Sequence, residues 1–198
     1  MLYVCSFQDE IPPGATVINT TSRSDNWSKG LSPFFVGPVK VSGGFTAKNI
    51  ENAYQYSKVY AEFTDEKGNP TKEYFCWAKA GWDNSWAHRY PMGKGKVPLY
   101  SYWNRRRLSY IEARKQIYIP LYASAVVKTA AYAKLKEIYE LSTNDIYLKD
   151  FDGYLNKKLN MSYDDVINCE TRKMGHAFVL AMLLEGFILV YPHDLQIS

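Results

Sequence analysis

Met174-Gly-His-Ala-Phe-Val-Leu-Ala-Met-Leu-Leu-Glu-Gly-Phe-Ile-Leu-Val-Tyr191 is the stretch whose reading decides what kind of fold this chain adopts. A membrane-spanning helix needs about 20 mostly apolar residues, and an acid in its middle is costly. This run is barely long enough, and it carries His176, Glu185 and two glycines. It reads instead as a buried core helix ending at Gly186, with a short strand over residues 187–190 behind it.

The rest of the chain agrees with a globular protein. Its 198 residues sit near the upper end of one ordinary domain of about 100–200 residues. A chain of this length can bury most of its apolar surface without a disulfide or metal staple. Hydrophobic residues at 46% and charged residues at 22% exclude a disordered chain. Aromatics are heavy at 16%, which suits planar ligands and also fills cores. Cys5, Cys76 and Cys169 are isolated, which points to a reducing compartment and away from a disulfide framework. His88, His176 and His193 make no metal-ligand spacing, so neither a metal nor a cofactor is expected. The opening MLYVCSFQDE carries acids and no basic start, unlike a signal peptide. A net charge of +4 is compatible with a phosphate-bearing substrate or with nucleic acid.

Local patterns place the elements. Residues 16–19 and 35–41 read as strands, the second with a proline at its edge. Asn49 caps a helix over residues 50–60. Residues 64–72 are a polar loop, residues 73–88 a short helix with Trp77, Trp82 and Trp86, and residues 90–103 a long ordered loop. Residues 106–140 read as the longest helical region, broken at Pro120. Ser162 starts a helix over residues 163–169. No repeat or linker divides the chain. The expected fold class is therefore α+β, helix-rich, one compact domain over residues 1–198 with a small β element near the amino terminus.

The sharpest local feature is IENAYQYSKVY, residues 50–60. On a helix, spacings of four and three put Glu51, Gln55 and Lys58 on one face. A carboxylate, an amide and an ammonium in a row form either a catalytic strip or a solvated helix face. The residues alone favour the second.

A resemblance shifts that weighting. NTTSRSD (19–25), LSPF (31–34), PVKVSG (38–43) and Glu51…Gln55…Lys58 occur in this order. AHRYPMG (87–93), YIEARKQIY (110–118) and KMGHAFVLAML (173–183) follow them. This succession resembles the NADAR (NAD- and ADP-ribose-associated) family, whose helix box is E-x-x-x-Q-x-x-K, over about residues 18–185. The chain departs from the family pattern at Pro33, Tyr110 and Arg172, as a divergent member with altered specificity does, a viral one included.

The resemblance implies a NADAR-like fold and an N-glycosidase that hydrolyses a ribose–base bond. The substrate class is a phosphate-bearing nucleotide-like metabolite or an ADP-ribosylated guanine. Breaking a C1′–N bond builds positive charge on the ribose, which a nearby carboxylate stabilises. By this reading Glu51 is that carboxylate, and Asp150 or Asp152 is a second acid, although Asp152-Gly153 is equally well a simple turn. Lys58 clamps a phosphate, attacks the ribose carbon, or forms a structural ion pair. Ser22, Asp25, Ser32, Phe34, Gln55, Arg114, Arg172 and Gly175 are the expected substrate contacts. Trp82, Trp86 and Tyr110 are candidates to stack on a base. His176, inside an apolar helix, reads as a satisfied core histidine.

Two rival readings make different demands. A DNA glycosylase would flip a modified base and hold DNA through Arg105, Arg106 and Arg107, with salt-dependent affinity. A non-catalytic ADP-ribose or nucleotide-binding module would keep a pocket without turnover. All three readings place the protein in the cytoplasm, the host's for a viral member, without a membrane partner.

Overall fold

The computed structural model describes residues 1–190; Tyr191 and His193 lie outside them. The elements run, in chain order, β1 (Leu2–Cys5), β2 (Thr16–Asn19), β3 (Val39–Lys40), β4 (Thr46–Ala47), α1 (Ile50–Gln55) and β5 (Lys58–Val59). After them come α2 (Lys72–Asp83), β6 (Tyr100–Trp103), β7 (Arg106–Leu108), α3 (Tyr110–Ala113) and a π-helical turn (Arg114–Tyr118). The chain continues through α4 (Ile119–Val126), α5 (Ala130–Leu141), β8 (Ile146–Lys149), α6 (Tyr163–Asn168) and α7 (His176–Leu184). Helices outweigh small sheets, and the fold is α+β. Contacts gather the described residues into two compact units, residues 1–36 with 122–190 and residues 37–121.

The first unit is organised by a parallel sheet of order β1-β8-β2. Parallel strands are joined by long crossovers and tend to be covered on their faces, so their sequences read as apolar runs. Leu2, Val4, Ile18, Ile146 and Leu148 are buried. Helix α7 packs on β1 and β8, and every residue from His176 to Met182 is buried. A helix that is apolar all round belongs in a core. Burial of Phe178, Leu180 and Met182 stabilises by about 1.5–3 kcal/mol each. The expected core helix is present, but no strand follows it: the chain turns at Gly186, with φ 72°, and residues 187–190 are irregular.

The second unit holds the antiparallel pair β3-β4 and the antiparallel sheet β5-β6-β7. The helix expected over residues 50–60 stops at Gln55. Beyond it the Ser57 hydroxyl donates to the Tyr54 carbonyl, and Lys58 and Val59 pair with Ser101 and Tyr100. A strand partner from distant sequence overrides helical periodicity here. The loop expected over residues 90–103 ends in a strand, because β6 and β7 form a hairpin with a two-residue turn at Asn104-Arg105. The long helical region is likewise divided. Residues 106–108 are strand, and the helices part at residues 127–129 rather than at Pro120. Pro120 lacks the N–H that would bond back along the helix, and it sits just after the π-helical turn, in the first turn of α4, where that loss is tolerated.

Candidate functional site

Asn49 caps α1, its side chain accepting from the Asn52 N–H at 2.8 Å. The cap fixes the face that carries the expected row. Glu51 is buried, at 8% exposure, while Gln55 and Lys58 are half-buried. The Gln55 amide donates to Glu51 Oε1 at 2.9 Å, and the Lys58 ammonium donates to Gln55 Oε1 at 2.7 Å. The ammonium also lies over the Tyr54 ring, 4.6 Å from its centroid. Charge therefore runs from a buried carboxylate on α1, through an oriented amide, to a half-buried ammonium at the start of β5. A solvated helix face would show neither the burial nor the relay.

The π-helical turn completes the cluster. It packs against α1 and carries Arg114, only 2% exposed, with its guanidinium 4.7 Å from the centre of the Tyr110 ring. Tyr118 from the same turn packs on Tyr54, ring centres 5.0 Å apart. Burial pushes the Tyr54 hydroxyl far above the usual phenol range; Tyr110 and Glu51 add to the shift and Arg114 opposes it. Such wide turns in helices are frequent at functional sites. Five of the expected residues thus belong to one unit: Glu51 and Gln55 on α1, Lys58 on β5, Tyr110 on α3 and Arg114 on the π-helical turn.

The remaining expected residues are elsewhere. Trp82 lines a separate cavity in the same unit. Trp86 is 77% exposed, in a loop held by Asn52, which donates to the carbonyls of Asn84 and Trp86 and accepts from the His88 N–H. The arginine run divides its duties: Arg107 bonds Asn69 Oδ1 at 2.6 Å and covers the Tyr100 ring, whereas Arg105 sits at the tip of a hairpin. Glu62 pairs with Lys96.

In the first unit, Asp150 follows β8 and is 4% exposed. Its Oδ2 accepts from the Ala177 N–H at 3.1 Å and lies 3.0 Å from His176 Nδ1. His176 Nε2 is 2.8 Å from the Thr20 carbonyl. Both ring nitrogens face oxygens that only accept, so the imidazole carries both protons and pairs with the carboxylate as a cation. Burial alone would raise the Asp150 carboxyl. The His176 charge, its hydrogen bond and the N–H groups of Ala177 and Asp152 together hold it down at about 2. The expectation of a second catalytic acid thus meets a carboxylate that already closes the amino end of α7. Gly175 serves the same arrangement, since a Cβ there would lie 2.1 Å from Asp150 Oδ2. Asp152 is half-buried in the turn beyond, where its N–H approaches Asp150 Oδ1 at 3.4 Å. Arg172 is exposed and lies over the Tyr154 ring at 5.2 Å. Ser32 is buried and accepts from the Phe34 N–H, Phe34 and Ser22 are half-buried, and Asp25 is exposed.

Sequence reasoning missed Tyr54, Tyr118 and Asn52. The spacing of Tyr54 and Lys58, four residues apart, could have suggested a ring beneath the ammonium. An asparagine inside a short helix could have suggested a loop anchor. Tyr118 gives no signal, because the π-helical turn that aims it is not legible in periodicity. Among the described residues no group of three His, Cys, Asp or Glu side chains comes together as metal ligands, and no helix is long and apolar enough to cross a membrane.

These features define an α+β protein with a buried carboxylate joined through an amide to a half-buried ammonium in its second unit. The chain belongs to a family described as a family of unknown function (DUF6939), whose profile matches residues 4–166 and so includes that row. No curated protein and no solved structure matches the chain.

Proposed function

We propose that this protein is a cytoplasmic N-glycosidase that hydrolyses a ribose–base bond in a phosphate-bearing ribosylated substrate, a nucleotide-like metabolite or an ADP-ribosylated guanine. The reading rests on one observation: Glu51 is buried yet fixed, through Gln55, in a row with Lys58, and the turn that packs against its helix carries the buried Arg114. The ordered likeness of the short motifs to the NADAR family supports the same reading.

The chemistry follows from that arrangement. The C1′–N bond breaks with its electron pair leaving on the base, and positive charge develops at C1′ and the ring oxygen. A preoriented carboxylate in a water-poor environment stabilises that charge at little reorganisation cost. Water then adds to C1′, Glu51 takes its proton, and the released base is protonated in turn. Gln55 holds the carboxylate in place. Lys58 already donates to Gln55 and lies over Tyr54, so we assign it to orientation and to phosphate attraction rather than to attack on the sugar. Arg114 supplies the second cation.

The test is base release from a panel of ribosylated bases and nucleotides, followed by mass spectrometry. Wild-type protein should release a free base. Glu51→Gln should reduce that release by on the order of a hundredfold or more without lowering the melting temperature. Full activity in Glu51→Gln would end the assignment. Tight ADP-ribose binding by calorimetry with no product in wild type would make the protein a binding module instead.

A further inference from the structure

The second unit carries a half-open cavity of about 660 Å³ whose wall is built from Phe45, Tyr74, Phe75, Trp82 and Tyr102. Small-molecule sites fall at about 300–1,000 Å³ and combine an apolar wall with a few polar groups. None of Glu51, Gln55, Lys58 and Arg114 lines it, so it is separate from the proposed reaction site. Phe45 packs on Trp82 and Phe75 on Tyr74 and Tyr102, yet they remain 41% and 47% exposed, and contiguous exposed aromatic surface of this kind marks binding sites.

Its charge has a single sign. Lys72, Lys79 and Arg105 line the cavity and no carboxylate does. Lys72, Cys76 and Lys79 share one face of α2. Lys79 lies over the Phe45 ring at 5.3 Å. Neither Lys79 nor Arg105 makes an ion pair among the described residues. Arg105 is placed there at a cost. It occupies the second central position of the β6-β7 hairpin turn with φ 63°, after Asn104 with φ 47°. That position favours glycine, because a Cβ in the left-handed region is strained. The Asn104 N–H donates to Ser42 Oγ, another lining residue, at 2.9 Å.

We propose that this cavity binds a planar aromatic anion, its ring against the aromatic wall and its acid group held by Lys79 and Arg105. An aromatic wall selects flat rings through stacking, and an uncompensated cationic rim selects anions.

Two fluorescent probes of matched shape test this: 8-anilinonaphthalene-1-sulfonate and the neutral N-phenyl-1-naphthylamine, titrated into the full-length protein. The sulfonate should bind one-to-one and at least tenfold more tightly than the neutral probe. Lys79→Ala and Arg105→Gly should each weaken the sulfonate by roughly fivefold and leave the neutral probe unchanged. Arg105→Gly should also raise or preserve the melting temperature, so its loss of binding cannot reflect unfolding. The sulfonate should slow iodoacetamide labelling of Cys76, the exposed thiol on the cavity wall, and not of Cys169. Equal affinity for the two probes, insensitivity to both substitutions, or an unprotected Cys76 would each overturn the proposal.

Discussion

Gln55 is the residue through which the central cluster is held together. It orients Glu51 with its nitrogen and takes the Lys58 ammonium with its oxygen, so its amide cannot flip without losing both bonds. Hydrogen bonds to charged groups contribute about 1.5–3 kcal/mol each, less where solvent reaches them. Gln55→Leu should therefore lower stability by about 2–3 kcal/mol in urea denaturation, and it should lower activity more than substrate affinity. Unchanged stability would show that the relay holds nothing. Asp150 is the corresponding residue of the other unit. Asp150→Asn keeps the Ala177 hydrogen bond but leaves the His176 charge buried without its counter-charge. Breaking a buried pair from one side costs about 3–5 kcal/mol, which thermal unfolding would reveal as a large drop in melting temperature.

At the scale of elements, two glycines decide how helices meet their neighbours. Gly81 lies inside α2, where alanine is ordinarily better by about 1 kcal/mol. Here a Cβ would stand 2.0 Å from the Tyr56 ring, and overpacking of that kind costs about 1–3 kcal/mol or more. The clash wins, so Gly81→Ala should destabilise despite the propensity gain; a stabilised variant would contradict this packing. Gly175 makes the same argument at the start of α7. Sequence patterns show elements of this kind unevenly. The apolar run starting at Met174 announces α7 because it is apolar on every side, and Ser162 announces α6 through a capping box with Asp165. The short strand β5 is silent, because it exists only through pairing with residues some forty positions away, and β6 is hidden because its hairpin turn, Asn104-Arg105, lacks the glycine that signals one.

For the molecule as a whole, the two kinds of site differ in legibility for a physical reason. The Glu51 row is local, three residues within eight positions of the chain, so spacing alone groups it although Lys58 lies past the end of α1. Asp150, Gly175 and His176 come together only once β8 is central and α7 covers it, and a parallel sheet leaves no short-range signal for that order. The pair they form makes stability pH-dependent. Asp150 is held at about 2, against an ordinary 3.8, so it contributes about 2 kcal/mol at neutral pH. Because the folded value is depressed, that contribution is complete above the unfolded value and fades as pH falls from about 4 towards 2. Equilibrium unfolding of wild type should lose this increment across that window, and Asp150→Asn should not. Parallel curves for the two proteins would show that the carboxylate is not charged in the core.

The most direct measurement of the glycosidase account runs the substrate panel in heavy-oxygen water and weighs both products. The account predicts that wild-type protein releases unlabelled base together with a sugar that has gained one heavy oxygen at C1′, and that Glu51→Gln, folded to the same extent, yields neither. Label in the base, label in a phosphate, or equal product from both proteins would contradict it.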